Sequence, residues 1–103
     1  MSETPFNWSG QRSQDPAHRR VAEFLTMDIQ QSPQWARELM EKIEAIEAGE
    51  LDSWERNGNA FYLELSPDGA AIEDAVDESS PIQKVSLDEF RAAVLAWRER
   101  IGS

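Results

Sequence analysis

Two turn signals interrupt a run of alternating residues between positions 51 and 79, and they constrain the fold more than any other feature. Asn57-Gly58 and Pro67-Asp68-Gly69 favour tight turns, because glycine readily adopts the backbone angles that such turns require. Side chains two residues apart in a strand lie on the same face. The segment therefore predicts a three-stranded antiparallel meander, whose apolar face includes Phe61, Leu63 and Leu65.

Two amphipathic helices are predicted on either side of this meander. Ser32 followed by Pro33 is typical of a helix start, with serine as the N-cap and proline at the first helical position. Apolar residues then recur three or four positions apart until Gly49: Trp35, Ala36, Leu39, Met40, Ile43 and Ile46. Ser86 and Glu89 have the spacing of a capping box at the start of the second helix. Its apolar stripe comprises Phe90, Ala93, Val94, Trp97 and Ile101.

The remaining segments complete the predicted sheet. Residues 1–20 form a polar N-terminal segment, with a short strand over residues 5–9 and a loop over residues 10–20. Alternation over residues 23–30 predicts a half-buried strand, and residues 82–85 predict a short one. The expected fold is α+β, with an antiparallel sheet of about four to five strands and two amphipathic helices packed on one face. Residues 21–103 form a single domain in this prediction.

Composition excludes several classes of site. The chain contains no cysteine, which excludes disulfides, thiolate metal sites and cysteine nucleophiles. No apolar run approaches the ~20 residues that span a bilayer, and the N-terminus lacks the basic and apolar regions of a secretory signal. We therefore expect a cytoplasmic protein that does not bind membranes.

Negative charge is concentrated in the middle of the chain. Residues 38–89 carry 15 acidic and three basic residues, a net charge of −12, whereas the whole chain carries −10. Every third position from Glu38 to Glu50 is a glutamate, and carboxylates three apart on a helix repel one another. Phosphate contacts require a basic surface, so nucleic acid is not an expected partner. An acidic surface attracts basic proteins instead.

The sequence offers no recognisable set of catalytic residues. His18 is the only histidine and is predicted to lie in a polar loop, without a cysteine or motif serine to activate. No nucleotide-binding or zinc-hydrolase spacing occurs, and the acids between Asp68 and Glu78 do not match a calcium-binding EF-hand loop. A non-catalytic protein without cofactor or metal is the prediction. A carboxylate-dependent enzyme or a calcium binder is the alternative.

The candidate binding residues are mostly acidic. The densest cluster comprises Glu73, Asp74, Asp77 and Glu78, and the next candidates are Glu47, Glu55 and Trp54. Under one interpretation the cluster is the solvated end of a strand and its loop. Under the other it is an acidic edge that matches the basic cleft of a partner. Trp54 packs under the hairpin or stands exposed as an anchor for that partner, whereas Trp35 and Trp97 are expected in the core.

The segment SWERNGNAFYLEL resembles the signature S-W-x-R-x-G-x-x-[FY]-x-L of the YacL family, small proteobacterial proteins of unassigned function. The matching residues are Ser53, Trp54, Arg56, Gly58, Phe61 and Leu63. The last helix is similar to that family's C-terminal helix, so the resemblance covers residues 19–101. It implies scaffold roles rather than catalytic ones. Gly58 would supply a positive φ in the turn, and Arg56 would pair with a carboxylate or stack on an aromatic ring.

By size, acidity and lack of cysteine, the chain also resembles bacterial immunity proteins, including those of contact-dependent growth inhibition systems. This resemblance implies an inhibitor, monomeric when free, that binds and blocks the basic active-site cleft of a toxin nuclease. The second hypothesis is a YacL-like housekeeping adaptor whose acidity serves solubility. Both hypotheses fit the sequence.

Overall fold

A four-stranded antiparallel sheet forms one layer of the molecule. The computed structural model describes residues 8, 10–12, 14–58, 60–77 and 79–101. The strands follow one another in chain order across the sheet: β1 Trp54–Asn57, β2 Phe61–Ser66, β3 Gly69–Asp74 and β4 Gln83–Val85. The predicted meander is confirmed, and the short strand expected near residue 83 extends it.

The pleat of the sheet separates a buried face from an exposed one. In β2, Phe61, Leu63 and Leu65 are buried, whereas Glu64 between them is exposed. The predicted apolar face is therefore the one that packs against the helices. The opposite face has no helix over it among the described residues, and we call it the outer face. It carries Glu55, Asn57, Tyr62, Glu64, Ala71, Glu73 and Lys84.

Three helices pack on the apolar face of the sheet. α1 spans Pro16–Phe24 and continues into a π-helical turn at Leu25–Ile29, α2 spans Pro33–Glu47, and α3 spans Leu87–Arg100. α3 lies in the middle and contacts β3 and both other helices, while α1 contacts β4 and α2 contacts β2. The predicted helix starts of α2 and α3 are confirmed, because Ser32 caps α2 and the capping box is present at α3.

One apolar core joins the helices to the sheet. Phe24 of α1 lies against Phe61 of β2 and Phe90 of α3, with ring centroids 6.4 and 6.1 Å apart. All three are buried. Full burial of such a side chain stabilises the folded state by roughly 1.5–3 kcal/mol. The α+β class with helices on one face of an antiparallel sheet is confirmed, and α1 adds a third helix to the two predicted.

The predicted strand over residues 23–30 is wrong, because this segment is helical. Its buried residues are Phe24, Leu25, Asp28 and Ile29, a helical spacing, and Met27 is half exposed. The alternation in the sequence arises because this exposed methionine lies between two residues of a helical stripe. The predicted loop over residues 10–20 also ends early, at the N-cap of α1, and α1 crosses the predicted domain start at residue 21.

The tryptophans differ in their positions. Trp97 is buried, as expected. The prediction that Trp35 lies in the core is wrong, because 43% of its surface is exposed and Ala36 is the residue that α2 turns inward. The strand predicted over residues 5–9 lies outside the described residues, apart from the buried Trp8. Within the described part of the chain, no helix has the length and apolar character needed to cross a membrane.

Candidate functional site

Most of the predicted acidic cluster lies at the end of β3 and in the loop that follows. We call the described residues 75–77 and 79–82, between β3 and β4, the β3–β4 loop. Glu73 is exposed on the outer face, Asp74 is half-buried and Asp77 is exposed. Glu78 lies outside the described residues. The structure thus places three of the four predicted carboxylates next to one another.

Two of these carboxylates also order the loop. Asp74 Oδ1 accepts hydrogen bonds from the backbone N–H of Asp77 and of Val76, each at 2.9 Å. These backbone donors stabilise the charged form and lower the pKa of the Asp74 carboxyl below its ordinary value. Asp77 Oδ1 in turn accepts from Ser79 N at 3.0 Å and from Ser79 Oγ at 2.6 Å. The acidic side chains therefore hold the loop in shape as well as charging it.

Arg20, a buried residue of α1, connects this helix to Ser80 in the β3–β4 loop. Arg20 donates one hydrogen bond to the Ile72 carbonyl at 3.0 Å and another to Ser80 Oγ at 2.7 Å. Its guanidinium lies 5.7 Å from the centre of the Phe61 ring, where a cation is attracted to the ring face. The loop is thus tied to both layers of the fold.

The β3–β4 loop also exposes two apolar side chains. Val76 is 80% exposed and Ile82 is 59% exposed, the two largest values among the exposed large apolar residues described. Nothing in the sequence distinguished them, because isolated apolar residues in a loop are common on protein surfaces. Their importance appears only when the hydrogen bonds of Asp74 show that the loop holds Val76 out into solvent.

The other predicted contacts lie apart from this cluster. Trp54 and Glu55 are consecutive in β1 and lie on opposite faces of the sheet. Trp54 packs against the core, with Lys42 Nζ 5.9 Å from its ring centre. Glu47 forms an ion pair with Arg91 of α3 at 3.3 Å. The structure therefore does not join Trp54 or Glu47 to the β3–β4 loop.

Glu55 belongs to an acidic outer face that begins beside the loop. Its partner across the strand pair is Glu64, so two carboxylates lie directly opposite each other. Like charges in this arrangement destabilise a sheet. Glu73 is exposed on the same face, and Lys84 of β4 is the basic residue there. The outer face thus extends the negative surface of the loop across the sheet.

His18 is not in a loop, contrary to the prediction, but buried in α1 with 1% of its surface exposed. Its Nδ1 accepts a hydrogen bond from Arg12 N at 2.9 Å, which places the ring proton on Nε2. Nε2 lies 2.8 Å from Glu89 Oε2. Glu89 Oε1 also accepts a hydrogen bond from Ser86 N at the start of α3. The bond from Ser86 N has the larger effect and the bond with His18 the next, and together they lower the pKa of Glu89 from 4.5 to about 2. The histidine thus links the N-terminal segment to α3.

The carboxylates of the described residues do not converge as a metal site requires. Among the described residues, no group of three histidine, cysteine, aspartate or glutamate side chains is arranged to hold an ion. The loop carboxylates of Asp74 and Asp77 accept bonds from their own loop instead. The calcium alternative gains no geometric support from these residues.

A second feature was not predicted: a cleft of about 630 Å³ between the π-helical turn and the end of β1. Asp28 lies in its wall and is buried, with its two oxygens accepting from Ala60 N at 2.8 Å and Phe61 N at 3.0 Å. The lining residues are Asp28, Ile29, Gln30, Gln31, Ser32, Trp35, Arg56, Asn57 and Gly58. Sequence reasoning missed this cleft because it assigned residues 23–30 to a strand.

Arg56 connects the two sides of this cleft. Its guanidinium lies 4.8 Å from the centre of the Trp35 ring, and Nη1 is 3.8 Å from Asp28 Oδ2. The two roles considered for Arg56, pairing with a carboxylate and stacking on a ring, are therefore both present. The positive φ expected at Gly58 is wrong, since Gly58 is not among the positive-φ glycines. A side chain there would instead collide with Asp28, because an added Cβ would overlap its Oδ2.

Comparison with known proteins places the chain in a family without identifying a role. The model of a family described as "Uncharacterised protein family (UPF0231)" matches residues 12–90. This match supports the resemblance to YacL-like proteins, and nothing in it supports the resemblance to immunity proteins. No curated protein and no solved structure matches the chain.

Proposed function

Because the chain belongs to the uncharacterised protein family UPF0231, whose description assigns no activity, we propose a function from geometry: a non-catalytic adaptor that binds a basic protein. The β3–β4 loop and the adjoining outer face would form the contact surface. The proposal keeps the adaptor hypothesis and adds a specific binding surface to it. Acidity then contributes to recognition as well as to solubility.

The observation that carries this proposal is the exposure of Val76 on a loop that is already ordered. A valine that is 80% exposed gains about 1 to 2 kcal/mol when a partner covers it. Preorganisation matters because a loop that needs no reordering loses less conformational entropy on binding. The hydrogen bonds made by Asp74 and Arg20 provide that order.

The charge of the surrounding surface supports a basic partner. An apolar anchor with charged residues around it is the usual anatomy of a protein interface. Here the charges around the anchor are negative, at Glu73 and Asp77. The opposed pair Glu55 and Glu64 raises the energy of the free protein, and a cation placed between them would relieve that repulsion.

The roles of the titratable groups inside the fold support a non-catalytic protein. His18 holds α3 and the N-terminal segment together through both of its nitrogens. Asp28 uses its two oxygens for backbone groups of the β1–β2 connection. A general base must be free to take a proton from a substrate, and both of these groups are occupied in structural contacts.

The partner class includes toxin nucleases, since a cleft that binds nucleic acid is basic. Inhibition of such a nuclease is the narrower form of the proposal, and the comparisons lend it no support. A partner that is basic for another reason, such as a nucleic-acid-binding protein, satisfies the same geometry. The test below identifies the partner without assuming its activity.

The experiment uses the tagged protein to capture partners from an extract of its own host cells at low salt, with elution by a salt step. The captured basic protein is then purified, and its affinity is measured by calorimetry for the wild type, Val76→Ser and Glu73→Lys. We expect Val76→Ser to weaken binding about tenfold, which corresponds to about 1.4 kcal/mol. Glu73→Lys should weaken binding and reduce its dependence on salt.

Matched controls change the same residue types elsewhere. Leu95→Ser removes an exposed apolar side chain from α3, and Glu99→Lys reverses an exposed charge on the same helix. Both should bind the partner as the wild type does. An empty eluate, or a captured protein whose affinity is the same for Val76→Ser and Glu73→Lys as for the wild type, would contradict the proposal.

A further inference from the structure

The cleft beside Arg56 has a size and a lining suited to a small ligand. Its volume of about 630 Å³ lies within the range of ligand pockets, roughly 300–1,000 Å³. The chain has 20 acidic residues, yet Asp28 is the one acid among the described residues that line the cleft, and its side chain is fully buried. The accessible lining is therefore free of negative side chains, unlike the acidic surface around the β3–β4 loop.

Arg56 has unused hydrogen-bonding capacity in this cleft. Its side chain is 13% exposed, and none of its nitrogens donates a hydrogen bond to another described residue. Nη1 is buried without an acceptor. Leaving a charged donor unpaired inside a protein is costly, so an arginine in this state needs a compensating partner.

Asp28 balances the positive charge of Arg56 but accepts no hydrogen bond from it. The distance of 3.8 Å between Asp28 Oδ2 and Arg56 Nη1 allows electrostatic attraction and is too long for a hydrogen bond. Both carboxylate oxygens are already engaged with the backbone N–H groups of Ala60 and Phe61. An acceptor from outside the chain would supply what Asp28 does not, at Nε and Nη2 rather than at the buried Nη1.

The surroundings fix the guanidinium in place. The guanidinium of Arg56 lies over the Trp35 ring, and 43% of the surface of Trp35 is exposed, so a planar group can contact it. Ser32 is the N-cap of α2 and Trp35 lies in its first turn, where the positive dipole end of the helix favours a negative charge. The planar fork of an arginine matches the two oxygens of a carboxylate or the oxygens of a phosphate.

The backbone of the cleft is strained. Gln30 has φ 56° although it is not glycine, and its carbonyl accepts a hydrogen bond from Trp97 Nε1 at 2.7 Å. Non-glycine residues at positive φ are uncommon and cluster at functional sites. Gln30 follows directly on the π-helical turn Leu25–Ile29, a second irregularity that is frequent at such sites.

We infer that this cleft binds a small organic anion, whose carboxylate or phosphate is received by Arg56 and whose planar part lies against Trp35. The ligand class is thus an aromatic or conjugated acid small enough for the cleft. This inference concerns a site separate from the β3–β4 loop, so it stands or falls independently of the proposed adaptor function.

The test is a titration of the wild-type protein followed by two-dimensional NMR of its amide and indole groups. Three probes share one ring: benzoate, phenyl phosphate and the neutral benzamide. We expect saturable shifts at Asn57, Gly58 and the Trp35 indole at roughly millimolar concentrations of an anionic probe. Tighter binding of benzoate would indicate a carboxylate ligand, and tighter binding of phenyl phosphate a phosphate ligand.

Variants separate Arg56 from general charge effects. Arg56→Gln should weaken binding of the anionic probes about tenfold or more, because a charge-assisted hydrogen bond is lost. Arg19→Gln removes the same charge from an exposed position on α1 and should change the affinity less than about twofold. Asn57→Glu keeps Arg56 but adds a negative charge to the exposed rim, so it should also weaken binding and serves if Arg56→Gln fails to fold.

Three results would overturn the inference. The first is the absence of saturable shifts at the cleft residues with either anion. The second is an affinity for benzamide equal to that for both benzoate and phenyl phosphate, which would show that Arg56 receives no anion. The third is unchanged affinity in both Arg56→Gln and Asn57→Glu. In the first case the cleft is a solvent-filled groove, and in all three cases Arg56 is a structural residue that receives no anion.

Discussion

At the scale of single residues, the buried polar side chains join segments that are far apart in sequence. Asp28 binds backbone groups 32 and 33 residues away, Arg20 binds Ser80 60 residues away, and His18 binds Glu89 71 residues away. The sequence could not predict these pairs, because a polar residue is expected to be exposed unless its distant partner is known. The family signature includes Arg56 and Gly58, but it does not include Asp28, the carboxylate that lies next to both of them.

The stability of the protein should fall in acid as Glu89 becomes protonated. Its folded-state pKa of about 2 lies below the ordinary value of 4.5, so its contribution is complete above pH 4.5 and is lost as the pH falls towards about 2. The side chain is 32% exposed, and solvent screening limits the effect to about 1–2 kcal/mol. Urea unfolding at several pH values measures it.

The variant Glu89→Gln removes this titration. It should be less stable than the wild type at neutral pH by about 1–2 kcal/mol and should lose less stability between pH 4.5 and pH 2. Glu99→Gln, at an exposed position on the same helix, is the matched control and should follow the wild type. Parallel acid curves for Glu89→Gln and the wild type would contradict the assignment.

At the scale of elements, the sequence predicted the meander, α2 and α3 but not α1. The start of α1 carries the same signal as that of α2, a capping residue followed by proline, here Asp15 and Pro16. The misleading signal was the alternation around Met27, because periodicity over eight residues does not separate a strand from a helix that exposes one apolar side chain. The β3–β4 loop was predicted as acidic, but its internal order depends on hydrogen bonds that no pattern shows.

Replacing the side chain that orders this loop should loosen it without unfolding the protein. In Asp74→Ala, the backbone N–H groups of Val76 and Asp77 lose their acceptor. Their amide hydrogen exchange should become severalfold faster, while the thermal midpoint changes little because the loop is exposed. Glu73→Ala, next in sequence and without such bonds, is the control. Equal exchange in Asp74→Ala and Glu73→Ala would show that Asp74 does not order the loop.

At the scale of the whole molecule, the net charge of −10 affects both stability and association. Arg91 of α3 lies near two of the helical glutamates, 3.3 Å from Glu47 and 4.0 Å from Glu44. No ion pair within the described residues involves Glu38, Glu41 or Glu50. Part of the glutamate run from Glu38 to Glu50 is therefore not neutralised by a basic residue. The glutamate run is thus partly structural and partly a source of repulsion.

Added salt should therefore stabilise the free protein. Raising ionic strength from about 0.01 M to about 0.15 M shortens the screening length from roughly 30 Å to 8 Å and weakens repulsion among the carboxylates. We expect about 1 kcal/mol of added stability, seen as a rise of about 4–8 °C in the thermal midpoint. The double variant Glu41→Gln/Glu50→Gln should show a smaller rise. A midpoint that stays constant or falls with salt would contradict this account of the charge.

Binding of a basic protein through the β3–β4 loop is the central claim, and hydrogen exchange of the complex with the captured partner tests it most directly. The account predicts that binding slows exchange at the amides of residues 73–82 and of strands β2 and β3, which carry part of the outer face. Exchange in α2 should be unchanged. Protection confined to α2, with none in residues 73–82, would place the interface on the glutamate run and contradict the claim.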